Sequence, residues 1–364
     1  MRSELLCLLT TLIEKRNSFA AYRLPGDDDI HLVWQERHDE SLFYRIEELN
    51  RQSGFVIAPF ALSKDCPGVL FRPDKEEVFS LPVEDATFPD KPSERSSQTV
   101  PPTDEYSARF ATFIAPIREK HFKKLVLSRS LTVERDESFS AAKAFLLACR
   151  RYIRSYVYLC HAPQTGTWLG GTPEILLSGE ANRWHTVALA GTQLLVQGNL
   201  PGSWDDKNLI EQMLVAFYIR TQLVSFGIDA EEKGPYTVRA GELAHLRTDF
   251  YFTLPDTGQL GNLLQLLHPT PAVSGLPKGE AYSFILANEG YNRHYYSGFI
   301  GQINLRGKTN LYVNLRCMNI QHRTLTLYAG GGLLPSSTLA DEWQETEDKL
   351  QTMLFITKIK NYVL

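Results

Sequence analysis

Residues 155–177 read SYVYLCHAPQTGTWLGGTPEILL, and this stretch indicates the fold class. Both halves are rich in Val, Tyr, Leu, Trp and Thr, a composition typical of β-strands. Between them lies the turn-forming run PQTG (163–166). So short a connection can join only antiparallel strands, because a parallel return needs a crossover of a dozen or more residues. The stretch therefore predicts an antiparallel sheet.

The same reasoning extends along the chain in both directions. Further strand-like runs lie at 124–132 and 185–195, and a three-stranded meander is predicted at 296–305, 310–319 and 324–329. The run at 168–177 is predicted to be a single strand. Helices are predicted at 1–16, 205–225 and 339–359. The predicted class is α+β, with large, mainly antiparallel sheets covered by helices.

Composition excludes several classes of partner. The chain of 364 residues has a net charge of −4 and no basic block, so nucleic acid is not an expected partner. No apolar run approaches the ~20 residues of a membrane span, and the leucine-rich start lacks the features of a signal peptide. Five widely spaced cysteines without a CxxC motif predict free thiols in a reducing cytoplasm.

Acidic residues near the end of the chain form the first candidate site. Glu342, Glu345 and Lys349 follow i, i+3, i+7 spacing and share one face of the predicted last helix. Asn208 and Glu211 share a face of an earlier helix. Gathered carboxylates favour a hard divalent cation such as Mg²⁺, which takes oxygen ligands. A solvated helix face with ordinary charge pairs is equally compatible with this spacing.

Five further residues are chemical candidates. Lys124 opens a strand, and it can act as a base only if burial or a neighbouring cation makes it give up its proton. Glu174 follows two glycines and a proline, which allow close backbone approach to a ligand but also suit a plain turn. Arg316, within an apolar strand-like run, needs a carboxylate partner. His245 and His268 are compatible with structural as well as functional roles.

Ten stretches, in this order, resemble the chorismate-utilising enzymes, which include isochorismate, salicylate, anthranilate and aminodeoxychorismate synthases. The stretches are KLVLSR (124–129), GGTPEILL (170–177), ALAGT (188–192), DKNLIEQ (206–212), HLRT (245–248), HPTPAVSGLP (268–277), YYSGFIG (295–301), VNLRC (313–317), YAGGG (328–332) and EWQETEDK (342–349). The resemblance spans residues 103–364 and implies a layered sandwich of antiparallel sheets with helices on the outside.

The resemblance also implies a domain organisation. Residues 82–107 hold five prolines and predict a linker or an irregular surface crossing. In the family, the region before such a crossing usually joins the same sheets. Residues 1–100 are therefore predicted to be a variable N-terminal part of one compact unit, and residues 101–364 the chorismate-binding catalytic domain.

Roles for single residues follow from the resemblance. Glu211 and Glu345 resemble ligands of Mg²⁺, and Glu342 resembles a carboxylate that acts on the metal through water. Asn208 occupies a place that is acidic in some relatives. The ring carboxylate of chorismate would be held by Gly330, Gly331 and Lys349, and the carboxylate of its enolpyruvyl arm by Arg316. Other substrate-binding positions would be Ala190, Gly191, Thr192, His245, Thr248, His268 and Tyr296.

Two residues resemble the catalytic pair of the family. Lys124 would activate water for attack at ring carbon C2, and Glu174 would protonate the departing C4 hydroxyl, which gives isochorismate. Lys124 favours water over ammonia as the nucleophile. Ala190 replaces the lysine that attacks the ring in aminodeoxychorismate synthases, so no amidotransferase subunit is expected. Two alternatives stay open, a salicylate synthase and a non-catalytic chorismate-binding protein. The pathway, whether menaquinone, siderophore or salicylate synthesis, is not indicated.

Overall fold

The computed structural model describes residues 2–81, 101–195, 198–254 and 256–357. The helices of this part are α1 (Arg2–Glu14), α2 (Asp104–Arg118), α3 (Ala141–Arg151), α4 (Asp206–Ser225), α5 (Leu260–Leu267), α6 (Lys278–Asn288) and α7 (Leu339–Thr357), with short 3₁₀ turns at Ile46–Leu49 and Thr257–Gln259. None of the described helices has the length and apolar character needed to cross a membrane.

Most of the fold is β-structure. The described strands are β1 (Ser18–Arg23), β2 (Asp29–Gln35), β3 (Ser41–Phe43), β4 (Gly54–Ala58), β5 (Gly68–Phe71), β6 (Lys75–Ser80), β7 (Lys124–Glu134), β8 (Tyr156–Ala162), β9 (Gly166–Thr172), β10 (Ile175–Glu180), β11 (Arg183–Leu194), β12 (Glu231–Ala240), β13 (Leu243–Phe252), β14 (Gly275–Leu276), β15 (Phe299–Leu305), β16 (Lys308–Val313), β17 (Cys317–Ile320) and β18 (Thr324–Leu333).

These strands form two nine-stranded sheets. Sheet A has the order β14-β7-β18-β17-β9-β8-β1-β2-β6, and sheet B has the order β12-β13-β11-β10-β16-β15-β4-β5-β3. Neighbouring strands run antiparallel, as in the pair β8–β9 that the sequence predicted around the turn at 163–166. Strands β1–β6, which precede the proline-rich run, lie in both sheets.

Four layers of secondary structure are held together by apolar contacts. Helices α1, α3 and α7 cover the outer face of sheet A, and α4 and α5 cover the outer face of sheet B. Between the sheets lies a core rich in aromatic rings, which draws its members from both sheets. Tyr156 of sheet A and Tyr312 of sheet B stack there, with ring centroids 4.2 Å apart and an interplanar angle of 3°. Helices α2 and α6 close the end of sheet A at β7 and β18.

The predicted fold class is confirmed, but two predicted strands are wrong. The run at 168–177 is divided between β9 in sheet A and β10 in sheet B. Likewise 310–319 is divided between β16 in sheet B and β17 in sheet A, so the predicted meander does not exist. Alternation of apolar residues could not reveal these changes of sheet, because both faces of each sheet are covered.

The predicted proline-rich linker lies mostly outside the described residues. Its end is wrong, because residues 104–107 belong to the first turn of α2. The Thr103 hydroxyl caps that helix by accepting from the backbone N–H of Tyr106 at 3.2 Å. A threonine followed by acidic residues is a helix start signal that the prolines obscured.

The inter-sheet stack yields a test of the fold. Tyr312→Ala removes a ring that is 3% exposed, so we expect a loss of about 3–5 kcal/mol in the free energy of unfolding. Urea denaturation measures this. Tyr44→Ala is the matched control, because that side chain is 46% exposed, and it should change stability by less than about 0.5 kcal/mol. Equal effects of both substitutions would contradict the assigned core.

Candidate active site

Two crossovers between the sheets create the site. Residues 173–174 carry the chain from β9 in sheet A to β10 in sheet B, and residues 314–316 carry it back from β16 to β17. Each crossover bonds to a strand that flanks the other: the N–H of Val313 in β16 donates to the carbonyl of Glu174 (2.9 Å), and the N–H of Gly171 in β9 donates to that of Arg316 (3.0 Å). Glu174 and Arg316 are therefore held at fixed positions on non-sheet backbone.

A small cavity of about 60 Å³, partly open to solvent, lies beside these crossovers, and we call it the central cavity. Ten residues predicted from the sequence line it: Glu174, Ala190, Gly191, Thr192, Glu211, His245, Tyr296, Arg316, Gly330 and Lys349. They come from strands, crossovers and helices that are far apart in sequence, so the fold gathers most of the predicted set around one space.

Lys124 begins β7 and has no exposed surface. Its Nζ lies 2.8 Å from Oε1 of Glu211, which belongs to α4 and lines the central cavity. The contact is an ion pair without regular hydrogen-bond geometry. The pair joins a strand of sheet A to a helix on sheet B, and each charge compensates the burial of the other.

Glu174 is buried and chemically distinct from the other glutamates. Burial raises the pKa of its carboxyl to about 8, although Lys124 and a hydrogen bond from Thr270 Oγ1 (3.3 Å) act in the opposite direction. The side chain therefore carries a proton at neutral pH. A protonated carboxyl within the influence of a buried lysine is a combination that can donate a proton to a bound ligand.

Arg316 and His245 form a second buried pair. The carbonyl of Gly191 accepts from Nδ1 of His245 at 2.8 Å, which fixes the tautomer and leaves Nε2 as the acceptor for Arg316 Nη2 at 3.2 Å. Burial and Arg316 lower the pKa of His245 to about 3, so the ring is neutral. The predicted carboxylate partner of Arg316 is not found among the described residues. Its guanidinium faces the central cavity instead.

The acidic helix face of α7 is buried and paired with lysines. Glu345 lies 2.6 Å from Lys349 and 3.8 Å from Lys207, and Glu342 lies 2.5 Å from Lys207. Burial and the neighbouring Glu345 raise the pKa of Glu342. Burial also opposes ionisation of Glu345, but its two lysines overcome this effect and lower its pKa. The alternative of a solvated helix face is therefore wrong for these residues.

Glycines let the acidic residues approach the end of β18. A Cβ on Gly331 would lie 2.8 Å from Oε2 of Glu342, and one on Gly332 would lie 2.2 Å from Oε1 of Glu211. No side chain fits in these places without displacing a carboxylate. A Cβ on Gly330 would meet the Tyr296 hydroxyl at 3.0 Å, so this glycine is equally required beside the central cavity.

The carboxylates of Glu211, Glu342 and Glu345 have the oxygen donors that a divalent cation needs. Oε2 of Glu342 is buried and has no hydrogen-bond partner, and three glutamate side chains supply the oxygen ligands that Mg²⁺ prefers. Within the described ranges, however, no group of three or more His, Cys, Asp or Glu side chains is already arranged around a metal position. The donor chemistry fits Mg²⁺, and lysine nitrogens occupy the positions between the carboxylates.

Seven predicted residues lie outside the lining of the central cavity: Lys124, Gly331, Glu342 and Glu345, described above, and Thr248, His268 and Asn208. Thr248 lies behind its wall and accepts from Nε2 of Gln212 at 3.0 Å. His268 packs edge-on against Phe299, with ring centroids 5.1 Å apart. Asn208, at the position that is acidic in some relatives, accepts from the Thr192 backbone N–H at 2.8 Å. These three side chains support the walls of the site.

Two residues of the site escaped the sequence analysis. Lys207 pairs with both α7 glutamates, and its position four residues before Glu211 on one helix was an available signal. Thr270 bonds to Glu174, whereas the sequence analysis selected its neighbour His268. Histidine is a common catalytic residue and was therefore selected over threonine. Only the tertiary structure shows which of the two side chains contacts Glu174.

Comparison with known proteins identifies the family. Residues 69–358 match the profile of the chorismate binding enzyme family. The chain belongs to this family. The predicted resemblance to this family is thereby confirmed for the greater part of the chain. The matched range includes the segments that carry Lys124, Glu174, Glu211 and Glu345.

Individual relatives of this chorismate binding enzyme agree with that placement. It is 28% identical to the isochorismate synthase EntC of Escherichia coli K12 over 267 residues, which are 71% of this chain and 68% of EntC. It is 31% identical to the isochorismate synthase MenF of the same strain over 248 residues, which are 65% of this chain and 57% of MenF.

A solved structure supports the fold. The chain superposes on DhbC of Bacillus anthracis, described as a 2,3-dihydroxybenzoate-specific isochorismate synthase, with a TM-score of 0.77 and 23% identity. The match covers 99% of this chain and all of that one, so it includes the N-terminal strands β1–β6.

The raised pKa of Glu174 predicts a pH dependence of stability. A carboxyl with a raised pKa stabilises the fold fully below its unfolded pKa of about 4.3, and this contribution is lost as pH rises through about 8. Wild type should therefore lose unfolding free energy between about pH 5 and about pH 8 relative to Glu174→Gln, which does not titrate. Urea denaturation at several pH values measures this, with exposed Glu180→Gln as the control that follows wild type. Parallel curves for wild type and Glu174→Gln would exclude a protonated Glu174.

Proposed function

We propose that this chorismate binding enzyme converts chorismate to isochorismate in a Mg²⁺-dependent reaction. The observation that carries the proposal is a buried glutamate with a raised pKa, Glu174, in the lining of the central cavity and within the electrostatic influence of the buried Lys124. Lys124 itself contacts Glu211, another residue of that lining. Exchange of a ring hydroxyl between two carbons needs a base for the incoming water and an acid for the departing hydroxyl. The names of the relatives EntC and MenF agree with this reaction.

The proposed steps conserve atoms and protons. Lys124 takes a proton from water as the oxygen attacks C2, the ring double bonds shift, and Glu174 gives its proton to the C4 hydroxyl, which leaves as water. The pKa of Glu174 at about 8 supports its role as the acid at neutral pH. This step requires Lys124 as the neutral amine, because the ammonium form, which pairs with Glu211 at 2.8 Å, has no free electron pair to accept a proton from water.

Other residues would bind the two carboxylates of chorismate. Arg316, which faces the cavity beside neutral His245, suits the carboxylate of the enolpyruvyl arm. Lys349, whose Nζ donates to the Gly330 carbonyl at 2.7 Å, suits the ring carboxylate. Glu211, Glu345 and, through water, Glu342 would hold Mg²⁺. When bound, this ion would offset the negative charge that develops near the ring carboxylate.

Product analysis tests the reaction. The purified protein is incubated with chorismate and Mg²⁺, with EDTA in a parallel sample, and products are identified by mass spectrometry and NMR. We expect isochorismate, an isomer of the same mass, only when the metal is present. Salicylate with pyruvate would replace the proposal by the salicylate synthase alternative. The absence of any product would favour a chorismate-binding protein without catalysis.

Substitutions test the assigned acid and base. Glu174→Gln keeps the size of the side chain but removes the proton, so we expect kcat to fall about 10²- to 10⁴-fold while Mg²⁺-dependent chorismate binding persists in calorimetry. Lys124→Met should cause a loss of the same order, and exposed Lys123→Met is its control. Wild-type turnover should also decline as pH rises through about 8. Full activity of either catalytic variant would refute its assigned role.

A further inference from the structure

A second, larger cavity adjoins the central cavity. It has a volume of about 600 Å³, is open to solvent, and shares Pro173 and Leu189 with the central cavity as common wall residues. We call it the vestibule. Pro173 directly precedes Glu174, so a molecule that crosses this shared wall arrives beside the proposed acid.

The charged side chains in the described lining of the vestibule are all positive. Arg154, Arg239 and Arg247 line it, and no aspartate or glutamate belongs to its described lining. The whole chain, by contrast, has a net charge of −4. A dianion that approaches at random therefore meets a mildly repulsive molecule, and the arginine-lined opening is a local region of opposite potential.

The three arginines differ in how far neighbouring acceptors and carboxylates neutralise their charge. Arg247 donates to Oδ1 of buried Asp249 from Nε (3.0 Å) and Nη2 (2.6 Å), so its guanidinium is fixed and largely neutralised. Arg239 donates to the Gly241 carbonyl at 2.8 Å and lies 3.6 Å from Glu242.

Among the arginines of the vestibule, Arg154 has the charge that is least compensated by neighbouring groups. It is exposed and has no ion-pair partner within the described residues. Glu242 is also paired with Arg151 at 2.7 Å, so it neutralises Arg239 only in part. Arg154 and Arg239 together leave a surplus of positive charge at the opening.

The wall that carries Arg239 is fixed in place. Nε1 of Trp204 donates to Oγ1 of Thr237 at 2.9 Å, and Thr237 belongs to the same strand as Arg239 and lines the vestibule. The cations are therefore presented from an ordered β12 and from the segment before β8, on two sides of one opening.

We infer that the vestibule is an anion-capturing entrance, in which Arg154 and Arg239 attract the dicarboxylate substrate before it crosses Pro173 and Leu189 into the central cavity. The inference rests on the proposed function, since it takes chorismate, with its two carboxylates, as the ligand. The attraction raises the rate of productive encounter and leaves the chemical step to Lys124 and Glu174.

Steady-state kinetics at varied ionic strength test the inference. Arg154→Glu reverses the charge of an exposed side chain, and Arg239→Gln is a second variant that removes charge without reversal. At about 0.01 M salt we expect kcat/KM of Arg154→Glu to fall about tenfold or more, with the loss in KM rather than kcat. The difference from wild type should shrink towards about 1 M salt, where the screening length is only about 3 Å.

Arg183→Glu is the matched control. It makes the same charge change on an exposed residue of β11, six positions from Leu189 and thus about 20 Å away along the strand. At about 0.1 M salt, where the screening length is about 10 Å, it should change kcat/KM less than about twofold, whereas at about 0.01 M a charge about 20 Å away still lies within the screening length of about 30 Å. Equal effects of Arg154→Glu and Arg183→Glu at about 0.1 M would overturn the inference, as would a loss that does not depend on salt or that falls on kcat.

Failure of the proposed function would be recognised separately. If wild type converts no chorismate, the proposed function is refuted whatever the variants do. The vestibule is then judged by equilibrium binding of chorismate at low and high salt. A salt-dependent loss of affinity in Arg154→Glu, but not in Arg183→Glu, supports the entrance, and equal affinities overturn it.

Discussion

The site depends on two backbone crossovers that must satisfy each other's hydrogen bonds. Where the chain leaves one sheet for the other, its peptide groups lose their neighbours in the ladder, and buried peptide groups need partners. The crossover at Glu174 and the crossover at Arg316 solve this problem jointly: Val313 donates to the carbonyl of Glu174, and the Thr172 hydroxyl donates to that of Val313. Arg316 adopts a positive φ of 46° within this arrangement. An acid and a cation are thereby held on rigid backbone at one cavity.

The two sheets also meet through charge. Lys124 of sheet A pairs with Glu211 of α4, which covers sheet B, and Lys207 of α4 pairs with Glu342 of α7, which covers sheet A. Removal of one partner would leave a buried charge uncompensated, which typically costs about 3–5 kcal/mol. Both contacts therefore join the layers, and the Lys207–Glu342 contact also lowers the pKa of a site carboxyl against the effect of burial.

The sequence predicted which polar residues lie near one another better than it predicted the path of the chain. Helical spacing at Glu342 and Glu345 marks a local requirement that survives folding, and the structure places both beside Lys207 and Gly331. A change of sheet leaves no such mark, because strands covered on both faces are apolar on both sides. For the same reason Thr270 and Lys207 were missed: their roles arise from partners that lie distant in sequence, Glu174 and the α7 glutamates.

The central cavity keeps one carboxyl protonated among several that are paired with lysines. Glu345 is ionised because Lys349 and Lys207 approach it directly, at 2.6 Å and 3.8 Å. Glu174 receives only a long hydrogen bond from Thr270 and more distant cations, and burial therefore dominates its pKa. Between Glu345 and Glu174, distance to a cation thus separates a carboxylate that could bind a metal from a carboxyl that can donate a proton. Glu342 differs from both, because burial and the neighbouring Glu345 raise its pKa although Lys207 lies 2.5 Å away. A lysine in direct contact with Glu174 would favour its ionised form and so remove the proton donor. Within the described part of the chain Glu174 has no ion pair, and the proposed reaction requires this.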